Sequence, residues 1–457
     1  MFSNLLFLLL VLLSASLAPE VTTPYWDVSP AQSLWLGTAL YGLLLISLVA
    51  QVKVLPLRYG SLTILAQLEI LLFLGFFLFF LDGMHIFGAW STLHVFVVLS
   101  LYSGALGLFY SFAYFRAPLR GVVDRGSFVD GQLRLTMPFA VPYLLLGVLS
   151  DLLTVWVPLD AQVPSTSAVV FLFFVGFMLL MMALVPVLVV LAWKCQPLPP
   201  GDIKEGLEAL CRRAGFRYRE ICSWTILRHT ATAAILGVFP QYRYVMFTDL
   251  MLRELSPKAL QAVLAHEIGH SRHYHLLLYP FVLLGGLVLA GLFGWIVIPA
   301  LAHWMDLIGQ GSLIPLASLV PYCIIFAVYF RFVFGYFSRL FERQADLSVI
   351  SLGVDPQEMV EALHKVAVLC GHIHDQPSWH HFSIRQRIEA LEFAAVHPAS
   401  VESHSQRVRS ALMIYGSLLL IGLVMVLAPT FPATPGFKQV ALTMEQVAIS
   451  IDSLWNR

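Results

Sequence analysis

His266, Glu267 and His270 stand together in HEIGH. On a helix, side chains four positions apart lie one turn apart on the same face. The two imidazoles would therefore project side by side and could share one small cation, with Glu267 beside them in reach of a water on that cation. Hydrolysis on zinc needs three protein ligands and one open position; the water held there ionises near neutral pH, and a nearby carboxylate can take its proton. Glu267 is the candidate general base. The third ligand is expected at Glu342, in the stretch SRLFERQAD at 338–346. Glu342 and Asp346 also share a helix face, so one can bind metal while the other orients a ligand histidine through its free ring N–H. The competing reading is a solvated acidic face paired with Arg339 and Arg343.

The element that must carry the first motif is SPKALQAVLAHEIGHSRHYH, residues 256–275. Ser256 fits an N-cap and Pro257 the first helical position, where its missing N–H costs nothing. Leu260, Val263, Leu264 and Ile268 recur at helical spacing and form the expected buried stripe. His273 and His275 fall at the end of this helix, where a histidine interacts well with the helix dipole, and neither is expected to be a ligand. His372, His374, His380 and His381 crowd a short stretch that reads as a polar loop.

The chain has 457 residues, of which 59% are hydrophobic and only 12% charged, and its formal net charge is zero. That is far too apolar for a soluble protein of this size; it is the composition of a polytopic membrane protein in contact with the lipid bilayer. Lys and Arg form no aromatic-interleaved basic patch, so nucleic acid is not an expected partner. The five cysteines make no CxxC pair and are read as free.

Residues 1–18 read as a signal peptide or anchor, and 19–195 as an N-terminal bundle with spans near 33–51, 61–81, 88–114, 136–158 and 168–193. The first polar segment, 196–275, holds an amphipathic helix closed by Gly215, then β-like runs near 216–226, 231–237 and 242–249, then HEIGH. A transmembrane hairpin at 276–336 returns the chain to the same face, where 337–408 brings SRLFERQAD back to HEIGH. A last span at 409–428 leads to an external tail at 429–457. Lys53, Arg58, Arg116, Arg120 and Lys194 fall in alternate loops, which places the site on the cytoplasmic side by the positive-inside rule. A bacterial inner membrane is the expected location.

HEIGH followed, after a hydrophobic hairpin, by SRLFERQAD resembles the membrane zinc metallopeptidases that include the CAAX prenyl protease and the bacterial HtpX heat-shock protease. HFSIRQRIEAL, residues 381–391, partly matches a later signature of that family, with Phe382 where the family has Pro. The resemblance implies an all-α polytopic membrane protein with a zincin-like (gluzincin) α+β catalytic domain on the cytoplasmic side. It implies one zinc ion on His266, His270 and Glu342, with Asp346 and Arg387 supporting the ligands, and a peptide or protein substrate. It also implies that Thr232, Ala233, Ala234 and Ile235 form a sheet edge that holds extended substrate, although the family commonly has Asn at the position of Thr232. Arg387 either pins the acidic helix or acts on the reacting carbonyl; oligomeric state is left open. The second function class is a catalytically silent zinc-binding membrane scaffold or transporter, for which Glu69 and Asp151 are the main intramembrane ionisable residues.

Overall fold

A long apolar run in lipid has few backbone solutions, because each N–H and C=O must be paired within the segment, and the helix does this at once. The computed structural model describes residues 7–8, 10–12, 29–81, 91–117, 123–156, 168–224, 231–307, 314–369, 374–375 and 382–427. Two units are distinguished: Met1–Gln196 with Cys222–His229 and Phe239–Tyr244, and Pro197–Ile221 with Thr230–Val238 and Val245–Arg457. The expected terminal tail at 429–457 and most of the 1–18 segment lie outside the described residues.

The first unit is helical. α1 (Pro30–Val54) opens on a capping box in which Ser29 and Gln32 satisfy each other's backbone N–H groups. It is followed by α2 (Tyr59–Phe79), α3 (Ser91–Ala113), α4 (Arg125–Arg134), α5 (Met137–Trp156) and α6 (Ala168–Ala192). Tyr102, Phe109 and Tyr110 of α3 are fully buried in a core with Leu48, Leu62 and Leu74. Both acids noted in the sequence have partners here: Gln51 Nε2 donates to Glu69, and Asp151 Oδ2 accepts the N–H of Thr92 at 2.9 Å, capping the start of α3.

In the second unit α7 (Asp202–Arg213) buries Leu207, Leu210 and Cys211 and gives way to Gly215 at φ +63°, a backbone state that glycine adopts without strain. Strands β1 (Gln196–Pro197), β2 (Glu220–Trp224), β3 (Ala233–Leu236) and β4 (Tyr244–Thr248) form one sheet in the order β1-β2-β4-β3, which leaves β3 outermost. α8 (Asp249–Glu254) leads into α9 (Pro257–Arg272), and α10 (His275–Leu307) follows after a two-residue break. α11 (Ile314–Tyr329), a π turn at Phe330–Phe334 and α12 (Gly335–Ser351) run on as one helix. α13 (Pro356–Leu369), α14 (Ile384–Val396) and α15 (Ala399–Leu427) complete the unit.

Among the described residues, six helices are long and apolar enough to cross a membrane, or seven if the pair α4 and α5, bent by 48°, counts as one. Three of the six lie in the second unit, at His275–Trp295, Ile324–Ser351 and Ala399–Val426. Leu287 of α10 and Leu418, Ile421 and Val424 of α15 are left exposed by the protein itself, which suits a lipid-facing surface. The boundary expected between a hairpin ending at 336 and a polar segment starting at 337 has no structural counterpart, since the helix passes through it unbroken. Polarity changes at that point, but SRLFERQAD contains no residue that ends a helix. For the same reason α15 starts at Ala399, ahead of the apolar run expected from 409.

Candidate metal centre

α9 begins as its sequence dictates. Ser256 Oγ accepts the Ala259 N–H at 3.1 Å, Pro257 takes the first turn, and Leu260, Val263, Leu264 and Ile268 are buried. The partner helix is α12. A Cβ built on Gly269 would stand 2.7 Å from Ser348 Cβ and 3.1 Å from Ala345 Cα, so the glycine of HEIGH lets the two helices approach more closely than any other residue would.

That approach brings His266, His270 and Glu342 together. The Nε2 atoms of the two histidines are 3.2 Å apart, His270 Nε2 is 3.4 Å from Glu342 Oε1, and His266 Nε2 is 3.9 Å from Glu342 Oε2. One ligand atom from each of the three lies within 4.8 Å of the others. His266 and Glu342 are buried, at 6% and 7% exposure, so the solvated acidic face considered above does not describe this helix. Arg343 instead lies over the Phe382 ring at 4.6 Å and donates to the Gln386 carbonyl at 3.3 Å. Phe382 therefore has a contact of its own where the resembling family has proline.

Asp346 is completely buried and accepts two hydrogen bonds from Arg387, from Nη2 at 2.7 Å and Nε at 3.0 Å. The pair is bidentate, and Arg387 Nη2 also stands 3.9 Å from Glu342. His266 Nδ1 lies 2.9 Å from Asp346 Oδ1, a close approach that is not aligned well enough to satisfy Nδ1 as a hydrogen bond. Burial opposes the charge on Arg387, but the Asp346 carboxylate outweighs it and holds the guanidinium firmly protonated.

Two imidazole nitrogens and a carboxylate oxygen converging in a buried space form a donor set suited to zinc. The arrangement fits: His266 has Asp346 at its Nδ1, which leaves Nε2 as the atom offered to an ion. Burial works against protonation of His270, yet the hydrogen bond and charge of Glu342 prevail and raise its pKa. Glu267 is raised as well, first by burial, with the two histidines pulling the other way. The Ile235 backbone in β3 also acts to lower it, the smallest of these influences. Ala233, Ala234 and Ile235 are in that outer strand, while Thr232 precedes it and pairs with Thr248, donating its N–H to Thr248 Oγ1 at 3.1 Å.

Three residues absent from the sequence-based set belong to this geometry. Gly269 sets the helix separation; His275 places Nδ1 2.9 Å from His270 Nδ1; Gln344 Oε1 stands 3.0 Å from His275 Nε2. Gly269 and Gln344 lie inside HEIGH and SRLFERQAD, and His275 in the histidine cluster, whose position alone reads as a helix end. Of the later histidines, His374 approaches His364 at 3.4 Å, and His372, His380 and His381 lie outside the described residues.

Residues 197–414 match the family profile described as Peptidase family M48. The CAAX prenyl protease 1 homolog of Oryza sativa subsp. japonica is 26% identical over 202 residues, covering 40% of this chain and 45% of that protein. The CAAX prenyl protease 1 homolog of Arabidopsis thaliana is 29% identical over 192 residues, covering 38% of this chain and 42% of that protein. The match thus spans less than half the length of either curated relative. The crystal structure of S. mikatae Ste24p is similar over 79% of this chain and 97% of that one, at 15% identity and a TM-score of 0.38.

Proposed function

We propose, from the premise that this chain belongs to peptidase family M48 through residues 197–414, that it is a zinc-dependent membrane endopeptidase. Its substrates in this reading are membrane-associated or hydrophobic proteins. The observation that carries the proposal is the convergence of His266, His270 and Glu342 from two helices, with Glu267 beside them.

In this reading His266, His270 and Glu342 hold the ion, which supplies Lewis acidity that polarises a peptide carbonyl and lowers the pKa of water. Glu267 takes the proton of the attacking water and returns it to the leaving amine. Its raised pKa suits the second half of that task, because a carboxyl group that holds its proton more tightly is still populated as an acid nearer neutrality. Asp346, held in an ion pair by Arg387, stands against His266 Nδ1 and keeps the ring in register. In this reading β3, at the edge of the sheet, binds extended peptide by backbone hydrogen bonds and presents the scissile bond to Glu267.

In this reading the site faces the cytoplasm of a bacterial inner membrane, a side supported by the alternating basic loops. Prenylated peptides, the class named for the plant relatives, are included among the proposed substrates beside unmodified membrane proteins. For the scaffold or transporter reading, the main intramembrane acids are Glu69 and Asp151, which make contacts with Gln51 and Thr92. Zinc content and cleavage of casein and a membrane-protein substrate should be measured for purified wild type and Glu267→Gln, with a chelator control. The proposal expects equal zinc in both and turnover only in wild type without chelator. Equal cleavage by the two proteins would overturn it.

A further inference from the structure

We infer that His275, steered by Gln344, is a positioning residue that fixes which ring nitrogen of His270 is offered to the metal. The inference rests on the zinc reading above and adds to it. His275 is the first residue of α10, yet it is 1% exposed and folds back onto the end of α9. Tyr274 makes this possible. It adopts φ +57°, the left-handed region that a bulky residue enters only at some cost, and its carbonyl accepts from Leu277 and Leu278 N–H at 2.9 and 3.0 Å. The chain thus stops one helix, turns and starts the next within two residues, leaving His275 facing His270. Stacking on Phe341, with ring centroids 4.5 Å apart, holds the ring in place.

Proton positions follow from the partners. Gln344 presents its carbonyl oxygen Oε1 to His275 Nε2 at 3.0 Å, and an oxygen of this kind only accepts, so His275 carries its proton on Nε2. Gln344 Nε2 donates in turn to Ser405 Oγ at 3.4 Å, which keeps the amide facing this way. In a neutral His275 the other nitrogen, Nδ1, is then an acceptor. It stands 2.9 Å from His270 Nδ1, so His270 must carry its proton there. The remaining nitrogen of His270, Nε2, is left bare and faces His266 Nε2 and Glu342 Oε1. A relay from Ser405 through Gln344 and His275 therefore selects the tautomer of His270 that binds metal. The two ligand histidines are held differently: His266 by a carboxylate, His270 by a neutral ring.

The test uses full-length protein in detergent, stripped of metal and titrated with zinc against a chromophoric chelator. His275→Phe keeps the ring volume and the Phe341 stack but has no acceptor; zinc affinity should fall about 10- to 100-fold while melting of the metal-free protein stays near wild type. His275→Asn, which returns an acceptor oxygen near the Nδ1 position, should recover most of that loss. Gln344→Glu, still an acceptor toward His275, should bind zinc far better than Gln344→Leu, and this pair serves if His275→Phe does not fold. Wild-type affinity in both His275→Phe and Gln344→Leu overturns the inference, as does an Asn variant no better than Phe. Should wild type bind zinc, His266→Ala abolish it and His275→Phe leave it unchanged, only the relay falls. Should wild type bind no zinc, or His266→Ala make no difference, the metal centre falls with it.

Discussion

In the first unit Glu69 lies against the amide of Gln51, and Asp151 accepts one backbone N–H at the start of a helix. A neutral donor meets each acid. In the second unit Glu342 and Asp346 share four neighbours that are charged or able to become so: His266, His270, Arg387 and Glu267. Glu342 and Asp346 together with Arg387 still leave one negative charge, and the two imidazole Nε2 atoms stand 3.2 Å apart beside it. A local contact between an acid and a neutral donor ends a helix or pins two spans and is complete. A cluster that gathers two imidazoles and a carboxylate at one point can offer a cation its ligands. Burial of a carboxylate among apolar helices is thus common to both regions, and only the character of the surrounding partners separates structure from chemistry.

The sharpest way to break this contrast is to neutralise one acid in each region. Glu267→Gln should lower turnover by about two to four orders of magnitude with zinc retained. Glu69→Gln, assayed for cleavage beside it, should leave turnover within a factor of about two, since a lone neutral contact in a span carries little net energy. A comparable loss in both would mean that the first unit takes part in the reaction.

Proton competition gives the next effect. Because Glu342 raises His270 above an ordinary imidazole, the metal-free site holds a proton to higher pH than a free histidine would, and zinc must displace it. Affinity should therefore be full at high pH and fall as pH drops through that raised value. Titration calorimetry across pH should place the onset above the ordinary histidine range; an onset below it would contradict the assigned Glu342 contact.

Smaller effects concern stability. Arg387→Ala strands Asp346 as a buried, unpaired charge and should cost about 3–5 kcal/mol, whereas Asp151→Ala removes a helix cap and should cost about 1 kcal/mol. Denaturation in detergent of the two variants checks the order. Gly269→Ala forces a methyl against Ser348 and Ala345 and should cost about 1–3 kcal/mol, with loosened zinc binding as the accompanying sign that the helices have been pushed apart.

How much of this was legible in the chain depends on distance. HEIGH, the Ser256 cap, the Pro257 start and the apolar stripe are local, and their spacing alone implies one helix with two imidazoles on a face. The closure of α7 at Gly215 and the runs that become β2, β3 and β4 were readable for the same reason. The unbroken passage from α11 into α12 was not, because a fall in hydropathy resembles a domain edge even where the backbone does not change. Partners of Glu69 and Asp151 depend on which spans pack together, and single-span hydropathy carries no such record. Arg387 pairs bidentately with Asp346, 41 positions away, a contact that local spacing does not announce. His275 was read as a helix-end histidine since nothing nearby announces the left-handed turn at Tyr274.

The central claim for this protein is that His266, His270 and Glu342 hold one ion. X-ray absorption at the zinc edge, taken on the metal-loaded full-length protein and on Glu342→Ala, tests this most directly. The expected wild-type spectrum shows one zinc per chain with two imidazole shells and only nitrogen and oxygen neighbours, and the variant loses an oxygen neighbour or the metal itself. A spectrum with sulfur in the first shell, or one that Glu342→Ala leaves unaltered, would contradict it.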